Sequence, residues 1–124
     1  MIELALILPL LVLLIFAVLE YGWMFYRNGE IVNAARQGAR LGVRPNATSG
    51  TVTAGISTVM TNAGLAGSGY VVTQVPADLT TLSPGQSFTV KITVPYANIE
   101  LIGFPLLPVP DNLHAEATMA REGP

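Results

Sequence analysis

Two carboxylates accompany an apolar N-terminal stretch, and the chemistry they offer is charge pairing. Glu3 precedes the stretch and Glu20 lies inside it. A carboxylate in lipid costs on the order of a few kcal/mol unless it is paired or hydrated. If many copies bundle, a buried carboxylate can persist beside a neighbour's amine, and Glu20 is expected to pair with Arg27 of a staggered neighbour. Within one helix these two residues are two turns apart, too far for a direct bridge. The alternative for Glu20 is a membrane interface.

Other residue types that carry chemistry are sparse. The chain has no cysteine and a single histidine, His114, which falls on the polar side of a predicted strand beside Glu116. A catalytic dyad or a metal site needs partners that the sequence does not place nearby. The glycines of residues 64–69 lack the strand-before, helix-after setting of a phosphate loop. We therefore predict no catalytic residue, no metal and no cofactor, and keep Asn46 of the triplet NAT as a possible glycosylation site.

The apolar stretch spans residues 4–26, with the sequence LALILPLLVLLIFAVLEYGWMFY. About 23 residues of α-helix are roughly 35 Å long, enough to cross the hydrocarbon core of a bilayer. Pro9 leaves the Ala5 carbonyl without its helical partner, so a bend or a loosened turn is expected there. Proline is also tolerated in membrane helices without further purpose.

Composition and charge bound the rest of the chain. It has 124 residues, of which 51% are hydrophobic and 11% are charged, with a formal net charge of −2. This balance argues against nucleic-acid binding, which needs a basic surface. If the first ~44 residues form one helix, about 80 remain for a single compact domain, whose small core would gain from packing on that helix.

The second half of the helix, residues 27–44, is amphipathic. One face is small or aliphatic and comprises Ile31, Val32, Ala35, Gly38, Ala39 and Gly42. The other face is polar and comprises Glu30, Asn33, Gln37, Arg40 and Arg44. Gly42 and Pro45 are expected to end the helix. Basic residues follow the apolar run and none precedes it, so the usual orientation rule, applied to these residues alone, would place the C-terminal domain inside. The alternative expectation is that a basic leader once preceded residue 1 and was cut off.

Several motifs occur together along residues 1–44. They are a Glu before an apolar run containing Pro9, then Glu20-Tyr21-Gly22, Phe25-Tyr26, and NAARQGAR at residues 33–40. Jointly these motifs resemble the TadE-like pilin family, in the tight-adherence branch of type IV filaments. The C-terminal AEATMAR, residues 115–121, is similar to the strand that often closes such domains.

The resemblance implies a route of assembly. In such families a prepilin peptidase cuts a basic leader, and a Glu near the new N-terminus meets a terminal amine as subunits polymerise. Glu3 matches that Glu, two residues short of its usual fifth mature position. The implied partners are further copies of the chain, the membrane before assembly, the pilus assembly machinery and the peptidase.

The remaining sequence predicts a small α+β domain. A helix is expected over residues 51–64, capped by Ser49 or Thr51, and strands over residues 70–75, 87–94 and 113–119. A turn is expected at residues 83–86. The strands are expected to form an antiparallel sheet of three or more strands.

Residues 95–110, PYANIELIGFPLLPVP, are apolar but broken by proline and glycine. They predict a packed loop. Its apolar residues either cover the core or contact another subunit, and they are Leu101, Ile102, Phe104, Leu106 and Leu107.

Together these features predict a type IV pilin-like α+β fold in three parts. Residues 1–26 form a transmembrane or filament-core half helix, residues 27–44 an amphipathic half, and residues 45–124 a head domain. The predicted function is a structural subunit of an extracellular pilus, in which Arg36 and Arg40 orient the helix against its own head or a neighbour. The alternative is a membrane-anchored accessory protein or minor pilin that primes assembly. A tethered enzyme has no residues in its favour.

Overall fold

The protein is one long helix carrying a small head, and the computed structural model describes residues 1–103 and 107–122. Its helices are α1 (Ile2–Gly42) and α2 (Ser49–Asn62), and its strands are β1 (Val71–Val75), β2 (Ser87–Pro95) and β3 (Asn112–Ala120). Single turns of 3₁₀-helix follow β1 (Leu79–Thr81) and β2 (Tyr96–Asn98). This arrangement confirms the predicted α+β, pilin-like fold.

Helix α1 is 41 residues long and continues through Pro9. At about 1.5 Å per residue it measures roughly 60 Å, far more than the head needs. From Ile2 to Leu19 its large apolar side chains are mostly exposed. Among the described residues α1 is the one helix long and apolar enough to cross a membrane. The N-terminal half of α1 therefore projects from the head without support from it.

The C-terminal half of α1 packs on the head through the small-residue face. Its buried residues in this half are Ile31, Ala34, Ala35, Gly38, Ala39 and Gly42. A Cβ at Gly38 would lie 2.6 Å from Ile56 Cδ1, and one at Gly42 would overlap the ring of Phe88. The glycines are thus needed for the close approach of α2 and the sheet, as the spacing predicts.

Helix α2 begins two residues earlier than predicted, and the predicted cap was wrong. The cap is Thr48, whose extended backbone lets its hydroxyl accept a 3.1 Å hydrogen bond from the Thr51 N–H. Three neighbouring residues can each serve as a cap, and the one that does is set by where the preceding loop turns. Asn46 makes that turn with a φ of +63°. Val52, Ile56 and Met60 are buried at helical spacing.

The sheet is an antiparallel meander in the order β1-β2-β3. Strand β2 is central and alternates as predicted. Its inward side chains are fully buried, and they are Phe88, Val90, Ile92 and Val94. On β3 the buried side chains are Leu113 and Ala115. The core therefore lies between this face of the sheet and the two helices.

The segment after β2 both covers the core and presents apolar surface. Tyr96 and Ile99 are buried, which fits the predicted core-covering role. Leu101 and Ile102, by contrast, are 48% and 38% exposed. Phe104 and Leu106, which were predicted as part of the same surface, lie outside the described residues.

Candidate functional site

Glu20 is the residue at which the apolar half of α1 meets the head. Its side chain is only 1% exposed. The Tyr96 hydroxyl donates a 2.6 Å hydrogen bond to one carboxylate oxygen, and the Ile102 N–H donates a 2.8 Å bond to the other. Burial of a carboxylate is costly unless its oxygens are bonded, and here each oxygen has a donor.

Tyr96 is held in place by the geometry that ends β2. Its N–H donates a 2.9 Å hydrogen bond to the Asp111 carbonyl, immediately before β3, so the ring turns inward at the edge of the core. The pKa of the Tyr96 hydroxyl lies well above its usual value, first because the group is desolvated and then because it bonds to Glu20. The hydroxyl therefore stays protonated and remains a donor to Glu20.

Two aromatic residues just after Glu20 complete this contact. The Tyr21 hydroxyl donates to the Pro108 carbonyl at 2.9 Å, and Trp23 Nε1 donates to the Ile99 carbonyl at 2.6 Å. We call the contact of residues 20–23 with Tyr96, Ile99, Ile102 and Pro108 the junction. Three side chains of α1 thus hydrogen-bond to the segment after β2, and the junction fixes the point at which the apolar half of α1 leaves the head.

Arg27 lies on α1 just C-terminal to the junction. Its guanidinium stacks 4.5 Å from the centre of the Trp23 ring. It also forms a salt bridge with Glu30 at 3.1 Å and donates to the Ala63 carbonyl at 2.7 Å. Glu20 and Arg27 therefore both have partners within the subunit, and their pairing between neighbouring subunits stays a prediction.

The other predicted assembly residues lie on exposed parts of α1. Glu3 and Pro9 are on the projecting half, and Arg36 and Arg40 are on the exposed face of the packed half. Beside Pro9 is a shallow apolar groove of about 410 Å³, which is lined by Leu8, Pro9, Val12, Leu13 and Phe16. The structure brings Glu20 to the head and leaves the other four residues on the outside of the subunit, where their inter-subunit roles stay predictions.

Sequence reasoning missed Tyr96 and the Ile102 amide as partners of Glu20. The available signal was the carboxylate itself, since a Glu in an apolar helix demands donors, and an aromatic hydroxyl in the apolar segment after β2 is one of the few the chain offers. No group of three or more His, Cys, Asp or Glu side chains that could hold a metal occurs within residues 1–103 and 107–122. His114 is exposed and hydrogen-bonds through Nδ1 to the Thr93 hydroxyl at 3.2 Å.

The long helix, with its exposed apolar half and its buried carboxylate, is also the part of the chain that comparison with known proteins identifies. Residues 1–40 match the family model of the TadE-like proteins. The resemblance predicted from the sequence is thus confirmed over this segment. Neither the curated proteins nor the solved structures gave a match.

The TadE-like segment contains each residue of α1 that forms the junction, together with Glu3, Pro9 and Arg36. It ends within the packed half, before α2 and the sheet. What the TadE-like segment does in this chain is therefore a question of what its exposed apolar surface contacts.

Proposed function

We propose that the chain is a structural subunit of a Tad-type pilus, which polymerises by bundling residues 1–26 of α1. The observation that carries the proposal is the apolar half itself, whose most apolar 18-residue window has no buried residue. Exposed apolar area costs about 25 cal/mol per Å² in water, so this half needs either lipid or other apolar helices around it. A bilayer supplies the first in the precursor, and a filament core supplies the second.

The proposal assigns a different role to each carboxylate. Glu20 has its donors within the subunit, so it can pass from lipid to a helical bundle without needing a new partner. Glu3 is exposed near the free end of α1, and a neighbour's terminal amine is the partner we assign to it. A pair of this kind sets the axial position of each added subunit, because either charge alone would be costly to bury.

The remaining parts follow from this arrangement. The groove beside Pro9 receives an apolar side chain from a neighbouring helix. Residues 27–44 carry the head, which includes the described part of residues 45–124 and forms the outer surface of an extracellular filament. Arg36 and Arg40 are exposed on the packed half, and the role we assign to them is to orient the helix against its own head or a neighbouring subunit.

The competing function is a membrane-anchored accessory protein that primes assembly without entering the filament. The same internal bonding of Glu20 lets a single helix remain in a bilayer, so this arrangement serves an anchor equally well. The two functions differ in where the mature chain is found, in the filament or in the membrane fraction.

Selective labelling of the head distinguishes the two functions. The chain has no cysteine, so Thr118→Cys, at an exposed position on β3, gives a single attachment site for a maleimide–gold or fluorescent label. A pilin predicts label along the whole length of sheared filaments, and it predicts that Glu3→Gln abolishes those filaments while the subunit persists in the membrane. Label confined to the membrane fraction of wild-type cells would refute the proposal.

A further inference from the structure

We propose that residues 99–103 form a second membrane contact, in which Leu101 and Ile102 lie in the bilayer interface beside the end of the apolar helix. This inference rests on the membrane stage of the proposed function and not on polymerisation. It assigns the exposed apolar part of this loop to lipid before assembly, rather than to the core or to another subunit.

The first argument is the position of the loop along the axis of α1. Glu3 and Glu20 are separated by 17 residues, or about 26 Å of helix, close to the roughly 30 Å hydrocarbon thickness of a bilayer. If Glu3 is near one boundary of the hydrocarbon core of the bilayer, Glu20 is near the other boundary. The Ile102 N–H is only 2.8 Å from the Glu20 carboxylate, so the loop is held at that same boundary.

The aromatic residues of the junction give the second argument. Tyr and Trp are enriched at membrane interfaces, where an apolar ring and a polar tip each find a suitable environment. Tyr21 and Trp23 follow Glu20 within one helical turn, and they donate hydrogen bonds to the Pro108 and Ile99 carbonyls. Tyr21, Trp23 and residues 99–103 therefore lie at about the same position along α1, and Trp23 is hydrogen-bonded to this loop through the Ile99 carbonyl.

The surface of the loop is the third argument. Leu101 and Ile102 are 48% and 38% exposed, and Leu19, which precedes Glu20 on α1, is 49% exposed. Glu100 is the charged residue of the segment, and it is exposed. A surface of two apolar side chains with one carboxylate suits a zwitterionic lipid interface, and anionic lipid would not strengthen the contact.

Site-directed spin labelling of the full chain tests the inference. Leu101→Cys is labelled, reconstituted in phosphatidylcholine vesicles at low protein-to-lipid ratio, and its accessibility to oxygen is compared with that to a water-soluble nickel chelate. Leu11→Cys marks the bilayer, and Val71→Cys, at a 60% exposed apolar position on β1, marks the head in water. We expect the oxygen-to-nickel ratio at residue 101 to exceed that at residue 71 several-fold, and Ile102→Cys to behave in the same way.

The controls separate this inference from the proposal on which it rests. If residue 11 is in lipid while residues 101 and 102 match residue 71, the loop contact is refuted and the membrane anchor stands. If residue 11 is also in water, the membrane stage fails and the inference fails with it. A third outcome is a high oxygen-to-nickel ratio at residues 101 and 102 that falls to the value at residue 71 on tenfold dilution of the protein in lipid. That result would assign the surface to a second copy of the chain, and it would also overturn the inference.

Discussion

The short hydrogen bond between Tyr96 and Glu20 predicts a large stability loss from a single hydroxyl. Tyr96→Phe keeps the buried ring and removes only the donor, so it leaves a carboxylate oxygen buried without a partner. Hydrogen bonds to charged groups contribute roughly 1.5–3 kcal/mol, and the 2.6 Å distance is typical of the strong ones. We expect the free energy of unfolding of the head to fall by about 2 kcal/mol, equivalent to roughly 8–16 °C in Tm.

The assay follows from the composition. Trp23 is the single tryptophan of the chain, and its indole N–H bonds to the Ile99 carbonyl at the junction. Its fluorescence therefore reports loss of the junction, while circular dichroism reports loss of the sheet. Both are followed during chemical denaturation of the full-length protein in detergent micelles.

Two further variants make the result specific. Tyr70→Phe, a hydroxyl deletion at a partly buried position outside the junction, should change the free energy of unfolding by less than about 0.5 kcal/mol. Adding Tyr96→Phe to Glu20→Leu should cost far less than Tyr96→Phe alone, since the carboxylate has already gone. Equal effects of Tyr96→Phe and Tyr70→Phe would refute the reasoning that the junction stabilises the head.

Three other predictions concern packing, capping and pH. Gly42→Ala places a Cβ against the Phe88 ring and should lower the free energy of unfolding by about 1–3 kcal/mol. Gly29→Ala, where nothing lies within 4 Å of the new Cβ, should stabilise the helix by roughly 0.5–1 kcal/mol. Equal effects of the two variants would contradict the close approach of Phe88 to Gly42. Thr48→Ala should cost about 1 kcal/mol by denaturant titration while Thr48→Ser keeps the cap, and an unchanged alanine variant would argue against it. Because the pKa of Tyr96 is raised by folding, stability should be unaffected by this group below pH ~10 and should decline above it, as the unfolded chain ionises first; wild type and Tyr96→Phe should differ in this slope.

Local patterns predicted most of the fold. The alternation of residues 87–94 is the buried and exposed alternation of β2, and the small-residue spacing of residues 31–42 is the packed face of α1. Both patterns record a burial requirement in neighbouring residues, so they can be read without knowing the partner element. The cap of α2 was assigned wrongly because Thr48, Ser49 and Thr51 all suit that role.

The partners of Glu20 could not be predicted from the sequence, because they are distant from it along the chain. Tyr96 and Ile102 are 76 and 82 residues from it along the chain, and one donor is a backbone N–H, which no residue type reveals. The sequence therefore predicted that Glu20 needs a partner, and the partner we expected was Arg27 of a neighbouring subunit. Only the fold places the loop after β2 against α1, where the head itself supplies both donors.

Helical reconstruction by electron microscopy of filaments sheared from producing cells tests the central proposal most directly. We expect residues 1–26 of many copies to be bundled along the filament axis, with Glu3 beside a neighbour's terminal amine and Glu20 still bonded to its own Tyr96. Filaments whose axial density cannot accommodate this sequence, with the intact chain recovered from the membrane fraction, would contradict it.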